Sequence, residues 1–357
     1  MKNLIRFLAM IFVVFFWLQN VHAQQQAKES HAWWNEGYFG RSRSNPLAKK
    51  LPLILVKGNK FVNSQGDTLL FRGLSISDPD KLESQGYWNK SHFEKVKEMG
   101  AMIVRIPVHP VAWRERTPAK YLGLLDQAVQ WSTELEMYVI IDWHSIGNLG
   151  MELFQNPMYD TSKKETYEFW RAIARHFNGH NSVAFYEIFN EPTIFSGQLG
   201  SMSWSEWKKI NEDIIRLIRA YDNETIPLVA GFDWAYDLTP LHIDPVEAEG
   251  IGYVTHPYQN KRPKPWEPKW EENFGFAAAH YPVMATEFGF SIPKGTTVKE
   301  DDYGNVIISY LEGKGISWIA WVFDAEWYPK MLESWDGYEL TGSGEFFKQA
   351  MHGQVGK

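Results

Sequence analysis

The sequence predicts an α/β fold, a single-domain (β/α)8 TIM barrel, and three observations carry that prediction. Eight short apolar or β-branched runs recur along about 290 residues, at 69–74, 102–108, 138–143, 183–189, 227–231, 250–254, 282–285 and 316–322. Between them lie stretches with apolar residues three and four apart, including 93–99, 124–135, 167–177 and 207–221, which is helical spacing. Near-continuous apolar strands alternating with helices form a parallel sheet covered on its faces, and eight such units close it. The third observation is negative: no G-x-G-x-x-G follows the first run, so an open doubly wound sheet lacks its phosphate loop.

The segments follow in order. Residues 1–23 carry Lys2 and Arg6, an apolar run at 7–18 and then Val21-His22-Ala23, the pattern of a secretory signal peptide cleaved after Ala23. The run falls short of the ~20 residues that span a bilayer, and an uncleaved N-terminal anchor is the alternative. The product is expected to be secreted or periplasmic, with no membrane span after cleavage. Residues 24–60 form an N-terminal extension whose Trp33, Trp34, Tyr38 and Phe39 are expected to pack against the barrel. Residues 61–357 are the barrel domain, without a Pro/Ser-rich linker or a low-complexity stretch.

Composition narrows the chemistry. The 357 residues contain no cysteine, which excludes thiolate metal sites, Cys nucleophiles and stabilising disulfides. A formal charge of −7 argues against a sequence-independent nucleic-acid binder, which needs a basic face. Aromatics reach 15%, with 17 Trp, and flat sugar rings are one partner that would use them. No G-x-S-x-G elbow occurs, which removes a common serine-hydrolase arrangement. His176 and His180 lie four apart, but Gly179 breaks the helix and no H-E-x-x-H frame exists. Neither a metal nor a cofactor is expected.

In barrels of this kind chemistry sits where the strands end. Six runs here end in polar or aromatic residues: Arg105 within Val-Arg-Ile-Pro-Val, Asp142-Trp143-His144, Asn190-Glu191-Pro192, His256-Pro257-Tyr258, Glu287-Phe288-Gly289, and Trp321 in Ile-Ala-Trp-Val-Phe-Asp. Glu191 and Glu287 fall on the fourth and seventh strands, which face each other across a barrel mouth. Glycosidic cleavage needs such a pair, one acid to protonate the leaving oxygen and one carboxylate to meet the oxocarbenium-like carbon. Either glutamate alone would read as a buried strand-end ion pair.

The ordered set Val-Arg-Ile-Pro-Val, Asp-Trp-His, Phe-Asn-Glu-Pro, His-Pro-Tyr, Thr-Glu-Phe-Gly and the late Trp resembles glycoside hydrolase family 5, over about residues 69–327. The resemblance implies Glu191 as acid/base and Glu287 as nucleophile of a retaining double displacement. It implies that Asn190 contacts the sugar 2-hydroxyl, and that Tyr258 and Arg105 keep Glu287 ionised and oriented. His144 and His256 would line the cleavage subsite, with Trp321 as its floor. Trp143 and Trp234 are further candidates for sugar contact by their position after strands, and Trp327 another. The implied substrate is a β-glucan polysaccharide or oligosaccharide, hydrolysed by a secreted endo-β-1,4-glucanase expected to be a monomer. The alternatives are a β-mannanase or a mixed-linkage or β-1,3-glucanase, and, in another class, a non-catalytic glycan-binding barrel. One departure stands out: many family cellulases carry a histidine shortly after the first strand's Arg-Gly, where this chain reads Arg72-Gly73-Leu74-Ser75-Ile76-Ser77-Asp78.

Among weaker signals, Trp207 and Trp270 are expected to pack in the core. The run Lys261-Arg262-Pro263-Lys264 is expected to be a solvated loop, with an acidic glycan as the alternative partner. The long segment 147–160 is expected to close one side of the mouth.

Overall fold

The computed structural model describes residues 47–193, 199–296, 298–300 and 302–355. The expected signal peptide and the aromatic residues of the 24–46 segment lie outside them. Eight parallel strands close into the expected barrel: β1 (Arg72–Ile76), β2 (Ile103–Val108), β3 (Tyr138–Trp143), β4 (Val183–Glu187), β5 (Ile226–Ala230), β6 (Gly252–Thr255), β7 (Val283–Phe288) and β8 (Ser317–Phe323). Each pairs with the next, and β8 pairs back to β1. The principal covering helices are α1 (Lys90–Glu98), α2 (Pro118–Glu134), α3 (Lys163–Phe177), α4 (Trp204–Arg219), α5 (Glu267–Asn273), α6 (Tyr303–Lys314) and α7 (Gly342–Met351).

Helix starts follow capping chemistry. Asn89, Ser162 and Ser203 accept hydrogen bonds from the backbone N–H three residues on, and Ser203 with Glu206 completes a capping box. Pro118 sits in the first turn of α2, where its missing N–H costs nothing. Each of these helices therefore begins three to six residues before the expected apolar period.

Side chains two apart on a strand share a face. Ile103, Ile140, Phe185, Leu228, Val254, Met284 and Ile319 fill the barrel interior as one apolar cluster. Two residues further along each strand stand Arg105, Asp142, Glu187, Ala230, His256, Thr286 and Trp321, so the same inward face turns polar towards the mouth. At the opposite end a hairpin, Ile54–Lys57 with Lys60–Asn63, sets Phe61 edge-on to Phe185 and Phe71 at 4.9 and 6.4 Å. Burying such a side chain contributes about 1.5–3 kcal/mol. This hairpin straddles the boundary expected between residues 60 and 61.

Two irregularities sit at the mouth. On β7 three residues, 286–288, advance against two on β8, and on β8 residues 321–323 do the same against β1. Such bulges re-aim side chains. One consequence is that Thr286 and Glu287, adjacent in sequence, both reach the same site. The long segment after β3 forms a small antiparallel pair, Ile146–Asn148 with Leu153–Phe154, and its first strand also pairs in parallel with Glu191–Pro192. A Cβ on Gly147 would meet the Leu153 carbonyl oxygen at 2.4 Å, so glycine permits this close pairing. Among the described residues no helix is long and apolar enough to cross a membrane.

Candidate active site

Arg105 organises the mouth from below. It is wholly buried; Nε and Nη2 donate to the two oxygens of Glu187 at 2.8 and 3.0 Å, and Nη1 donates to Glu287 at 3.0 Å. Nη2 also donates to Asn190 Oδ1 at 2.6 Å and lies 3.0 Å from Asp142. Tyr258 donates to the second oxygen of Glu287 at 2.8 Å. His256 holds Glu191 through Nδ1 at 3.0 Å, with Nε2 3.1 Å from Thr286 Oγ1 and 3.4 Å from Glu187. Thr286 itself donates to Glu187 at 2.9 Å. Above this layer the His144 ring lies parallel to Trp321 at 5.4 Å, with Nδ1 2.7 Å from Asp142.

Burial works on every charge in this layer. It opposes the His256 imidazolium, but Glu287, Glu187 and Glu191 outweigh it and raise the group to about 9. Burial likewise opposes ionisation of Glu187, yet Arg105 and His256 hold that carboxyl down at about 2. Asp142 goes the other way: burial and its carboxylate neighbours push it well above the usual range despite Arg105. For Glu287, burial also prevails, and the carboxyl is raised even with His256, Arg105 and Tyr258 against it. The contacts expected of Arg105 and Tyr258 are present and both favour the ionised form, while burial acts against it. Burial is the largest cause, and the neighbouring Glu191 adds to it. His144 is driven well below its ordinary value by burial and by His109, Arg105 and His256, and is neutral.

One oxygen of Glu191, one ring nitrogen of His256 and one oxygen of Glu287 lie within 4.8 Å of one another, a cation-like spacing. Both nitrogens of His256 are already engaged, and as the imidazolium that its raised pKa favours the ring carries a proton on each, so it has no lone pair to give a metal.

Of the expected residues, Arg105, His144, Asn190, Glu191, His256, Tyr258, Glu287 and Trp321 converge. Asn190 Nδ2 has no protein partner among the described residues. His256 and Arg105 are wholly buried beneath the carboxylates and support them, rather than lining the subsite as expected of His256. Trp143 does not converge. It is wholly buried, stacked on Phe169 of α3 at 4.1 Å, with its indole N–H donating to Thr166. The two-residue period explains this correction: Asp142 and His144 face inward, so Trp143 faces the helices. Trp207 and Trp270 are buried in packing, as expected.

Sequence reasoning missed several members. Glu187 continues the inward face two residues after Phe185, a signal that was available. Tyr159, from the segment after β3, is stacked on His109 at 5.7 Å and lies within the field of Glu287 and Glu191. Asp78, which closes the stretch where the family histidine is missing, accepts from the His109 backbone and pairs with its ring at 2.9 Å, while Tyr121 donates to its other oxygen. His109 meets Trp327 edge-on at 5.4 Å, and Trp327 stacks near Trp321 at 5.8 Å. Asp324 orients Trp327 by accepting its backbone N–H at 2.7 Å, and is itself held by Ser77 and by Lys81 at 2.6 Å.

The opposite wall follows β5. Asp233, Trp234 and Ala235 all have positive φ, of 57°, 53° and 57°. For residues with a Cβ this costs roughly 1–2 kcal/mol each, and surrounding contacts must hold it. Lys261 and Arg262 do so through Asp233, at 2.6 Å to its carbonyl and 3.1 Å to its carboxylate, so this basic run is not simply a solvated loop.

The model of the cellulase family, glycosyl hydrolase family 5, matches residues 62–326. An endoglucanase of Clostridium saccharobutylicum is 25% identical over 312 residues, covering 84% of this chain and 64% of the relative. Endoglucanase E-5 of Thermobifida fusca is 25% identical over 253 residues, covering 66% and 50%. The chain therefore spans less than two thirds of the length of these two relatives. Among solved structures, a beta-glucanase of Saccharophagus degradans is 44% identical with a TM-score of 0.84, over 90% of this chain and 99% of that one. The same beta-glucanase in complex with cellotetraose is 45% identical, with a TM-score of 0.85 over the same shares. By the extent of the family match, this chain belongs to glycosyl hydrolase family 5.

Proposed function

We propose that this chain is a secreted, retaining endo-β-1,4-glucanase that uses Glu287 as nucleophile and Glu191 as acid/base. The observation that carries the reading is the approach of their carboxylate oxygens to within 4.8 Å, with Tyr258 and Arg105 bonded to Glu287. Retaining glycosidases hold their carboxyl groups about 5–5.5 Å apart, whereas inverting ones leave about 6.5–9.5 Å for a water. In the first step a Glu287 oxygen attacks the anomeric carbon as its bond to the leaving oxygen breaks, and Glu191 gives that oxygen its proton. In the second, Glu191 takes a proton from water as the water oxygen attacks the same carbon, which releases Glu287 and restores the Glu191 proton. Asn190 Nδ2, fixed through its Oδ1 on Arg105, is free to donate to the sugar 2-hydroxyl. Trp321 offers a flat apolar face, suited to a sugar ring.

The choice of β-glucan is supported by the Saccharophagus relative, described as a beta-glucanase and solved with cellotetraose. Secretion rests on the pattern at residues 1–23. Mixed-linkage glucan is kept as the second substrate, because the 72–78 stretch lacks the histidine that many family cellulases carry there. Purified protein should release reducing ends from carboxymethyl cellulose and mixed-linkage β-glucan in preference to mannan. Glu287→Gln should abolish release, and NMR should see the β-anomer first. No release from any β-glycan would end the enzyme reading, and the α-anomer appearing first would end retention.

A further inference from the structure

The left-handed turn after β5 is built at a cost and fastened on several sides. Lys261 Nζ donates to the Asp233 carbonyl at 2.6 Å, sits 3.7 Å from its carboxylate, and lies 4.6 Å from the centre of the Trp234 ring. The Trp234 indole N–H donates to Gln155 at 2.8 Å, from the segment whose first strand pairs with Glu191–Pro192. The Ala235 carbonyl accepts from the backbone N–H of His256, the residue that holds Glu191. Lys261 is itself largely shielded from water, and its charge interacts with that of Glu191. The turn thus fixes a partly exposed indole next to the Glu191–Pro192 strand, and it follows β5, which stands across the barrel from β1 and its neighbours β8 and β2, the strands that carry Trp321 and lead into His109.

Resting on the proposed function, we propose that Lys261 is a positioning residue for the leaving-group side of the cleft, clamping Trp234 as the platform for the sugar that departs. Glu191 delivers its proton to the departing oxygen, so the wall next to Glu191 borders the departing sugar, and the Trp321 wall borders the sugar joined to Glu287. A lysine serves both parts of the clamp. Its ammonium satisfies the strained carbonyl and carboxylate of Asp233, and over the indole it makes a cation–π contact that fixes the ring's tilt.

The test compares two substrates that share the glycone and differ in what departs: cellotetraose, which needs a sugar platform, and 2,4-dinitrophenyl β-cellobioside, which does not. In Lys261→Met, kcat/KM for cellotetraose should fall at least tenfold further than for the aryl cellobioside, with most of the difference in KM. Trp234→Ala should give the same selective loss, the double variant should lose little more than either single one, and Lys261→Arg should recover part of it. Parallel losses on both substrates, or none on either, would overturn the clamp. A wild type inactive on both would instead overturn the proposed function itself.

Discussion

Glu187 should be as indispensable to the fold of the mouth as to its chemistry, and Glu187→Gln tests this. The carboxylate takes two hydrogen bonds from Arg105, one from Thr286, and faces His256 at 3.4 Å, all wholly buried. The amide keeps the shape but removes the charge, and presents N–H groups to a guanidinium that cannot accept them. Removing one partner from a buried ion pair costs about 3–5 kcal/mol. At about 2.1 cal/mol/K per residue over ~300 residues, the melting temperature should fall by roughly 5–8 °C near pH 6. The deficit should narrow above about pH 9, where His256 loses its proton and the wild-type carboxylate has one cation fewer to balance. Calorimetry of both proteins across that range measures it. A Glu187→Gln protein melting within about 1 °C of wild type at pH 6, with undiminished turnover, would refute the reasoning.

Two further outcomes follow. His256 is raised from 6.5 to about 9, so its contribution to stability is complete below pH 6.5 and is lost as pH rises through 9; at about 1.4 kcal/mol per unit this is about 3 kcal/mol, visible as a fall in denaturant midpoint over that window that His256→Gln should not show. Trp143→Leu should lower the melting temperature through lost packing on Phe169 while leaving KM near wild type, whereas Trp321→Ala should cut kcat/KM with little change in melting; the reverse pattern would restore Trp143 to the cleft.

The barrel was legible because its signal is repeated: eight apolar runs at regular intervals leave few architectures, and β3 matches its expected span of 138–143. Edges were less legible where capping side chains, not apolar period, start a helix, as at Ser162 and Ser203. The bulges on β7 and β8 carry no mark in the sequence, so an expected strand at 282–285 runs on to Phe288. At the site, motif order found the residues that end strands and erred where face matters, counting Trp143 among sugar contacts although it alternates away from Asp142 and His144. Contacts made between distant loops stayed hidden. Asp78 with His109 and Tyr121, and Trp234 with Gln155, depend on where the loops fold back, which no local pattern encodes.

The charge arrangement bears on why two cations should serve four carboxyl groups. Asp142 is driven towards its neutral form, and the proposed mechanism requires a proton on Glu191, which leaves Glu187 and Glu287 to balance Arg105 and His256. Glu187 is the settled partner of the two. Glu287 is raised by burial, so its ionised state is the costly one, and bonding to the anomeric carbon removes that cost together with the charge. In the proposed mechanism Glu191 gives up its proton at the same moment and becomes the second anion. On that proposal the negative charge moves from Glu287 to Glu191 while the total stays constant, and His256 touches Glu191 and lies in the field of Glu287. A cation fixed between the two ends of that transfer needs no rearrangement as the reaction proceeds, which is the form of electrostatic stabilisation a dry site makes most effective.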